Sequence, residues 1–216
     1  CLNVDLAYFS EKQLPLPTTL DDLLKPEYQG LVVVTNPATS SPGLAFLMAT
    51  IAQYGDPGYL DYWQALRSSG LKVVNDWESA YYTEFTRAGG TSPIVLSYAS
   101  SPAFEVIYAE PPLETPPTAA ITTAGTCFRQ VEFVGILQGA ANQDLAEKWV
   151  DFMLSTPFQE DMPLQMFVFP VNPQAKLDER FTRFLVNPQQ PASLPYADIA
   201  ARRETWIQAW TEAVLR

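Results

Sequence analysis

Two short stretches of the sequence place serine hydroxyls and a proline where an apolar strand passes into a helical pattern. They read NPATSSPGLAF over residues 36–46 and YASSPAFEV over residues 98–106. Proline suits the first turn of a helix because its missing N–H would be unpaired there, and a preceding serine can cap the exposed amides. The same helix start can also hold an anionic or acceptor-rich ligand. Helix capping and ligand binding are therefore both open for Thr39, Ser40 and Ser41.

Aromatic residues stand beside both stretches. Trp77 opens a predicted helix, Tyr98 ends a predicted strand, and Phe104 lies in the first turn after Pro102. Flat rings beside hydroxyls can stack on a planar heterocycle and attract a cationic ring through their faces. Packing in the core is the alternative for each ring. Because ligands of open α/β sheets bind at the carboxyl ends of the strands, the combination predicts the rim of one cleft.

The adjacent residues Tyr81 and Tyr82 offer a different chemistry, since tyrosine phenolates are oxygen ligands for ferric iron. Neighbouring residues on a helix point about 100° apart, so we expect one ring to face the core and the other the surface. An iron site built on this pair is kept as an alternative.

Composition excludes several classes of protein. The chain has 216 residues, 47% of them hydrophobic, which is enough to bury a sizeable core. Its net charge of −11 argues against nucleic acid or an anionic membrane as a partner. With no histidine, the chain cannot form Ser-His-Asp or Cys-His sites or zinc sites that need histidine. We predict no enzyme, no catalytic residue, no bound metal and no cofactor.

The two cysteines, Cys1 and Cys127, allow two interpretations. Cys127 suits a buried small apolar position, and a Cys1–Cys127 disulfide is possible if their strands are neighbours. Cys1 runs straight into an alternating strand over residues 3–9 instead of a flexible polar tether. We therefore expect the chain to begin inside a larger protein.

The elements that would position these residues alternate along the chain. Apolar runs predict strands over 31–34, 71–74 and 93–98, and helical spacing predicts helices over 42–54, 56–70, 77–87 and 102–108. This rhythm is typical of an α/β fold with a largely parallel sheet flanked by helices. The four prolines of 110–125 indicate a loop or crossing segment, and a long strand is predicted over 126–137. Further helices are predicted after Asn142, from Thr156 and over 197–215.

Five stretches in this order resemble a known family. They are TSSPGLAFLMATIAQYGDPGYLDYWQAL, NDWESAYYTEF, IVLSYASSPAFEV, MPLQMFVFPV and AARRETWIQAWTEAVLR. Together they are similar to the periplasmic thiamine-binding proteins of bacterial ABC importers. Those belong to the extracellular solute-binding proteins, which have the type II periplasmic-binding-protein fold. The resemblance covers nearly the whole chain.

The resemblance implies a lobe of a two-lobed binding protein, with part of the first lobe absent. It assigns residues 1–30 to a hinge-crossing strand and its connection, 31–137 to the α/β lobe with its return strand, and 138–216 to a C-terminal helical part that completes the lobe and packs toward the first lobe. It also implies a membrane permease as partner and a periplasmic or extracellular location. A lipid anchor on a segment upstream of this chain is left open. The open cleft face is expected to permit self-association.

The resemblance further implies which residues bind the ligand. The family's ligand serine falls on Ser40, its stacking tryptophan on Trp77, its two tyrosines on Tyr98 and Phe104, and its late tryptophan on Phe167. Three positions depart from the family pattern: a hydroxylated ring is replaced at 104, a tryptophan at 167 and a glycine at 82. With their neighbours in the same motifs, the predicted ligand-binding residues are Thr39, Ser40, Ser41, Trp77, Tyr81, Tyr98, Phe104 and Phe167.

The expected function is capture of thiamine, a thiamine phosphate or a related cationic heterocycle for an importer. The alternatives are a ferric-iron transport protein that uses Tyr81 and Tyr82, and an enzyme of thiamine-precursor metabolism on the same fold.

Overall fold

A computed structural model describes residues 1–216 as a five-stranded sheet flanked by helices. The strands lie in the order β3-β2-β4-β1-β5. β2 runs parallel to β3 and β4, whereas β1 is antiparallel to both of its neighbours, β4 and β5. The predicted α/β fold is confirmed, and β1 is the one strand that opposes the common direction. The strands are β1 Leu2–Asp5, β2 Val32–Thr35, β3 Lys72–Val74, β4 Ile94–Leu96 and β5 Thr118–Ile121.

The helices agree with the sequence prediction at most positions. The predicted starts at Pro42 and Pro102 fall one residue after the observed ones, and the last helix begins one residue earlier than predicted. No helix is both long enough and apolar enough to span a membrane. The α-helices are α1 Leu6–Lys12, α2 Ser41–Tyr54, α3 Gly58–Ser68, α4 Trp77–Ser79, α5 Ser101–Ile107, α6 Gln143–Met153, α7 Thr156–Met166, α8 Glu179–Phe184 and α9 Tyr196–Leu215.

Single turns of other helix types complete the secondary structure. A π-helical turn, Ala80–Glu84, continues α4, and Phe85 then separates it from a 3-10 turn, Thr86–Ala88. The continuous helix predicted over 77–87 is therefore wrong. Two more 3-10 turns, Asp21–Leu24 and Pro26–Tyr28, precede β2.

The main hydrophobic core lies between the sheet and helices α2, α3 and α9. Residues from the segments 1–30, 31–137 and 138–216 all contribute to it. Trp63 is completely buried there, and its indole N–H donates to Thr50 Oγ1 at 2.9 Å. Trp210 of α9 packs edge-on against the Trp63 ring at 5.3 Å between centroids. The C-terminal helix thus completes this core and packs on α3.

The amino end of α2 lies directly against the end of β2. A Cβ atom at Gly43 would lie 2.4 Å from the carbonyl oxygen of Thr35, so only glycine permits this approach. The close contact fixes the position of Ser40, the residue before the helix.

Two sequence predictions about the connecting segments are wrong. The strand predicted over 3–9 ends at Asp5, because the Asp5 carboxylate accepts the N–H groups of Ala7 and Tyr8 and starts α1. The segment 126–137 forms no strand: its one backbone pairing is an isolated bridge between Phe128 and Ala192, and Phe133 is 91% exposed. The segment 110–125, predicted as a loop or a crossing segment, contains the short strand β5.

The two cysteines form the disulfide that the sequence left possible, and Cys127 is buried, as the first interpretation expected. Their Cα atoms are 4.5 Å apart. The bridge joins the start of β1 to the segment after β5. Cys1 also exchanges two backbone hydrogen bonds with Ser97, one in each direction.

Candidate functional site

Trp77 stands at the centre of the site because two elements fix its ring. Asp76 caps α4 by accepting the Ser79 N–H at 2.7 Å, which sets the direction of the Trp77 side chain. The Trp77 indole N–H donates to Ser97 Oγ at 2.8 Å, at the end of β4. The indole N–H of Trp77 is thus satisfied by the protein itself.

Four other aromatic rings surround Trp77. Tyr81 lies nearly parallel to it at 5.0 Å, and Tyr82 meets it edge-on at 5.3 Å. Tyr98 and Phe167 approach it at 6.0 and 5.9 Å. These separations are typical of interacting aromatic pairs. Four of the predicted ligand-binding residues therefore lie in one cluster.

The second serine-proline stretch builds the far side of this cluster. Ser101 Oγ accepts the Tyr98 N–H at 3.2 Å and lies 2.8 Å from Ser97 Oγ. Ser100 donates its hydroxyl to the carbonyl of Phe167 at 2.7 Å. The hydroxyls of Ser100 and Ser101 thus both form hydrogen bonds that position aromatic residues.

Phe167 ends α7 in a left-handed conformation, with φ 59° and ψ 24°. A bulky residue in this region is strained and persists only where its surroundings hold it. The hydrogen bond from Ser100 and an edge-on contact with Phe104, 4.2 Å between centroids, provide that restraint.

The first serine-proline stretch is arranged differently. The Ser40 side chain makes no capping hydrogen bond, and its Oγ is buried without a partner. Thr39 donates its hydroxyl to the carbonyl of Asn75 at 2.6 Å, which ties this loop to the residue two before Trp77. Ser41 is exposed. Capping by a serine side chain, one of the alternatives that the sequence left open, is therefore absent at both α2 and α5.

A cavity of about 440 Å³ opens on one side of Trp77. Trp77, Tyr81, Phe104 and Phe167 line it, whereas Thr39, Ser40, Ser41 and Tyr98 do not. The structure thus places half of the predicted ligand-binding residues in the wall of this cavity and the other half outside it. Sequence reasoning missed the remaining lining residues, which are Tyr82, Arg87, Ser101, Glu105, Tyr108, Ala109, Glu110, Pro111 and Leu113.

The main polar group of the cavity is the carboxylate of Glu105. Its Oε1 accepts the Tyr81 hydroxyl at 2.6 Å, and its Oε2 lies 3.9 Å from the Arg87 guanidinium. Burial, and secondly the nearby Glu105 charge, raise the pKa of Tyr81. The signal missed in the sequence is the spacing of Phe104 and Tyr108, which places both rings on one helical face beside Glu105.

The two adjacent tyrosines point to different surroundings, as predicted: Tyr81 is 8% exposed and Tyr82 is 58% exposed. Burial raises the pKa of Tyr82 as well, so both phenols favour the protonated form. No group of three or more acidic or cysteine side chains is placed to hold a metal ion.

Comparison with known proteins decides the family. A sequence profile described as "Bacterial extracellular solute-binding protein" matches residues 1–185. The chain belongs to this family. This solute-binding protein is 29% identical over 211 residues to the thiamine-binding periplasmic protein of Brucella suis biovar 1 (strain 1330), covering 98% of the chain and 61% of that relative. It is 32% identical over 200 residues to that of Salmonella typhimurium (strain LT2), covering 93% and 58%.

Solved structures share the fold. A periplasmic thiamin binding protein superposes with a TM-score of 0.79 and 26% identity, over 100% of this chain and 63% of that one. The periplasmic binding protein AfuA from Actinobacillus pleuropneumoniae gives 0.75 at 18% identity over 99% and 65%, and a Bordetella ferric binding protein gives 0.62 at 22% over 98% and 66%. The last two show the fold alone. The solute-binding protein spans less than two thirds of the length of these relatives.

Proposed function

We propose that this chain is the ligand-binding part of an ABC importer's substrate-binding component, and that it takes thiamine, a thiamine phosphate or a related cationic heterocycle. The observation that carries the proposal is the aromatic cluster around Trp77, which borders a cavity with a largely buried carboxylate. Faces of aromatic rings attract planar cations and stack on heterocycles.

The first serine-proline stretch supports a polar contact with the same ligand. A buried hydroxyl with no partner is costly unless something pairs with it, and Ser40 is such a group. We assign it the role of a hydrogen-bonding group for the polar end of the ligand. Ser41 and Thr39 are its supporting neighbours, and Tyr98 is the ring on the strand-end side of Trp77.

Two observations support the transport role: the chain belongs to the solute-binding family, and its relatives are named thiamine-binding periplasmic proteins. We infer an extracytoplasmic location, and a membrane permease as the partner that receives the closed, liganded protein. Residues 1–30 would serve as the hinge crossing, 31–137 as the binding lobe and 138–216 as its C-terminal completion. Closure on the ligand would shift a population between open and closed forms. Self-association has no support in the comparisons and is not part of the proposal.

Ferric iron is the less favoured cargo. Iron binding through tyrosine needs phenolates. The Tyr81 hydroxyl instead keeps its proton and donates a hydrogen bond to Glu105, and the pKa values of both tyrosines are raised. A cationic organic ligand requires no such deprotonation.

Calorimetric titration tests the proposal. Thiamine and its mono- and diphosphate are titrated into the 216-residue chain, into Trp77→Ala and into Trp149→Ala. Trp149 is an exposed tryptophan on α6, outside the cavity. We expect Trp77→Ala to weaken binding by about 10- to 100-fold, equivalent to about 1.4–2.8 kcal/mol, and Trp149→Ala to leave it unchanged. Absence of heat with all three compounds, or equal binding by Trp77→Ala, would refute the proposal.

A further inference from the structure

Glu105 is a carboxylate that the fold holds mostly away from water. It lies on α5 next to Phe104, and its side chain is 17% exposed. A carboxylate in such surroundings is costly unless its oxygens find hydrogen-bond donors or an opposite charge. The partners of its two oxygens therefore indicate what the site can still accept.

The two oxygens of Glu105 are unequally satisfied. Oε1 accepts a short hydrogen bond of 2.6 Å from Tyr81. Oε2 has only Arg87, and the 3.9 Å between them exceeds the length of a hydrogen bond. The Arg87 side chain is itself 35% exposed, so water competes for its charge. Oε2 keeps the capacity to face a second cation.

The surroundings of Oε2 select the kind of cation. The walls of the cavity carry two aromatic pairs: Trp77 and Tyr81 stack on each other, and Phe104 and Tyr108 lie nearly parallel at 6.0 Å. An inorganic cation would need several oxygen ligands, which these rings do not supply. An organic cation with a delocalised charge can instead lie against ring faces while its charge meets the carboxylate.

From these contacts we infer that Glu105 is the counter-ion that makes this lobe prefer a positively charged heterocycle over a neutral one, with Arg87 competing for the same carboxylate. The inference rests on the proposed function and adds to it a specificity-determining residue, since neither Glu105 nor Arg87 was among the predicted ligand-binding residues. It gives the two residues opposite roles: Glu105 attracts the ligand's charge, and Arg87 weakens that attraction.

The test compares charge preference in isosteric variants. Glu105→Gln keeps the size of the side chain and an oxygen that can accept the Tyr81 hydroxyl, but it removes the charge. Arg87→Gln removes the competitor. Glu147→Gln, on the exposed helix α6, is the matched control. Each variant and the unaltered chain are titrated with thiamine and with an analogue that carries a neutral thiophene in place of the thiazolium ring.

We expect Glu105→Gln to weaken thiamine binding by about 10-fold and to leave binding of the thiophene analogue unchanged, so that the preference for charge disappears. Arg87→Gln is expected to strengthen thiamine binding by about 3-fold, and Glu147→Gln to change neither. Thermal unfolding of each variant identifies any loss of fold.

A second probe separates this inference from the proposed function. Benzyltrimethylammonium, a simple aromatic cation, is titrated while the fluorescence of Trp77 is followed, with Trp77→Phe to identify that signal. If thiamine binds and Glu105→Gln keeps the preference for charge, the inference is wrong and the proposed function stands. If thiamine fails but the ammonium probe binds in a Glu105-dependent way, thiamine is the wrong ligand and the inference stands. If neither compound binds, both are overturned.

Discussion

The two serine-proline stretches have almost the same sequence and opposite uses of their hydroxyl groups. In the first step, residues 39–42, Ser40 keeps a buried hydroxyl without a partner. In the second step, residues 100–102, the Ser100 and Ser101 hydroxyls are both engaged with residues of the aromatic cluster. One step therefore offers a polar group, and the other positions aromatic rings.

Long-range contacts create this difference. The second step lies beside the end of β4, where Ser97, Tyr98 and the backbone of Phe167 supply partners for its hydroxyls. The first step packs against the end of β2 through Gly43, and in this arrangement no group forms a hydrogen bond with Ser40 Oγ. A local sequence motif thus fixes where a helix begins, while the role of its hydroxyls depends on what the fold places nearby.

The largest expected effect on the free energy of unfolding comes from removing the Cys1–Cys127 disulfide, which supports the second step and not the first. Cys1 pairs with Ser97 through the backbone, and the Cys1–Cys127 disulfide anchors it. Replacing both cysteines by serine should lower the free energy of unfolding by about 2–5 kcal/mol, because the unfolded chain without the cross-link regains the entropy of a long loop. Urea unfolding of the oxidised wild type and the double variant measures it. A loss below about 1 kcal/mol would contradict the expectation.

A smaller effect is expected from the hydroxyl of the second step itself. Ser101→Ala leaves the Tyr98 N–H and the Ser97 hydroxyl short of a partner in a buried site, so the free energy of unfolding should fall by about 1–3 kcal/mol. Its counterpart in the first step, the exposed Ser41, should tolerate alanine within about 0.5 kcal/mol. Equal losses in the two variants would show that the steps do not differ in this way.

The smallest effect on stability is expected at Ser40. Removing an unpaired buried hydroxyl should leave the free energy of unfolding unchanged or slightly higher, whereas Ser100→Ala should lower it by about 1 kcal/mol. Thiamine affinity should nevertheless fall by about 2- to 10-fold in Ser40→Ala, the value of one hydrogen bond. Urea unfolding and calorimetry on both variants measure these quantities; unchanged affinity in Ser40→Ala would remove Ser40 from the proposed site.

The sequence predicted those features that local chemistry determines. Proline near a helix start marked α2 and α5 to within one residue, and apolar runs marked β2 and β3. The resemblance to a family also grouped Trp77, Tyr98 and Phe167 in one site, and the structure places the rings of Tyr98 and Phe167 at 6.0 and 5.9 Å from that of Trp77.

The features that the sequence did not predict depend on distant partners. The alternating residues of 126–137 fit a strand, yet a strand forms only where another segment pairs along its length, and here the pairing stops at a single bridge between Phe128 and Ala192. Asp5 ended a predicted strand because its carboxylate competes as a helix cap. The spacing of Phe104 and Tyr108 marks the helical face beside Glu105, but the role of Glu105 depends on Tyr81 and Arg87, which lie on two other elements.

The strand β1, which runs opposite to both of its neighbours, has a consequence for the order of folding. Leu2 at its start pairs with Leu96 on one side and with Ile121 on the other, both far along the chain. Contacts of such long sequence separation slow folding. The sheet cannot close around β1 until residue 121 has been synthesised, so the nascent chain stays open for most of its length. Late closure of this kind suits a polypeptide that must be threaded through a narrow channel before it folds.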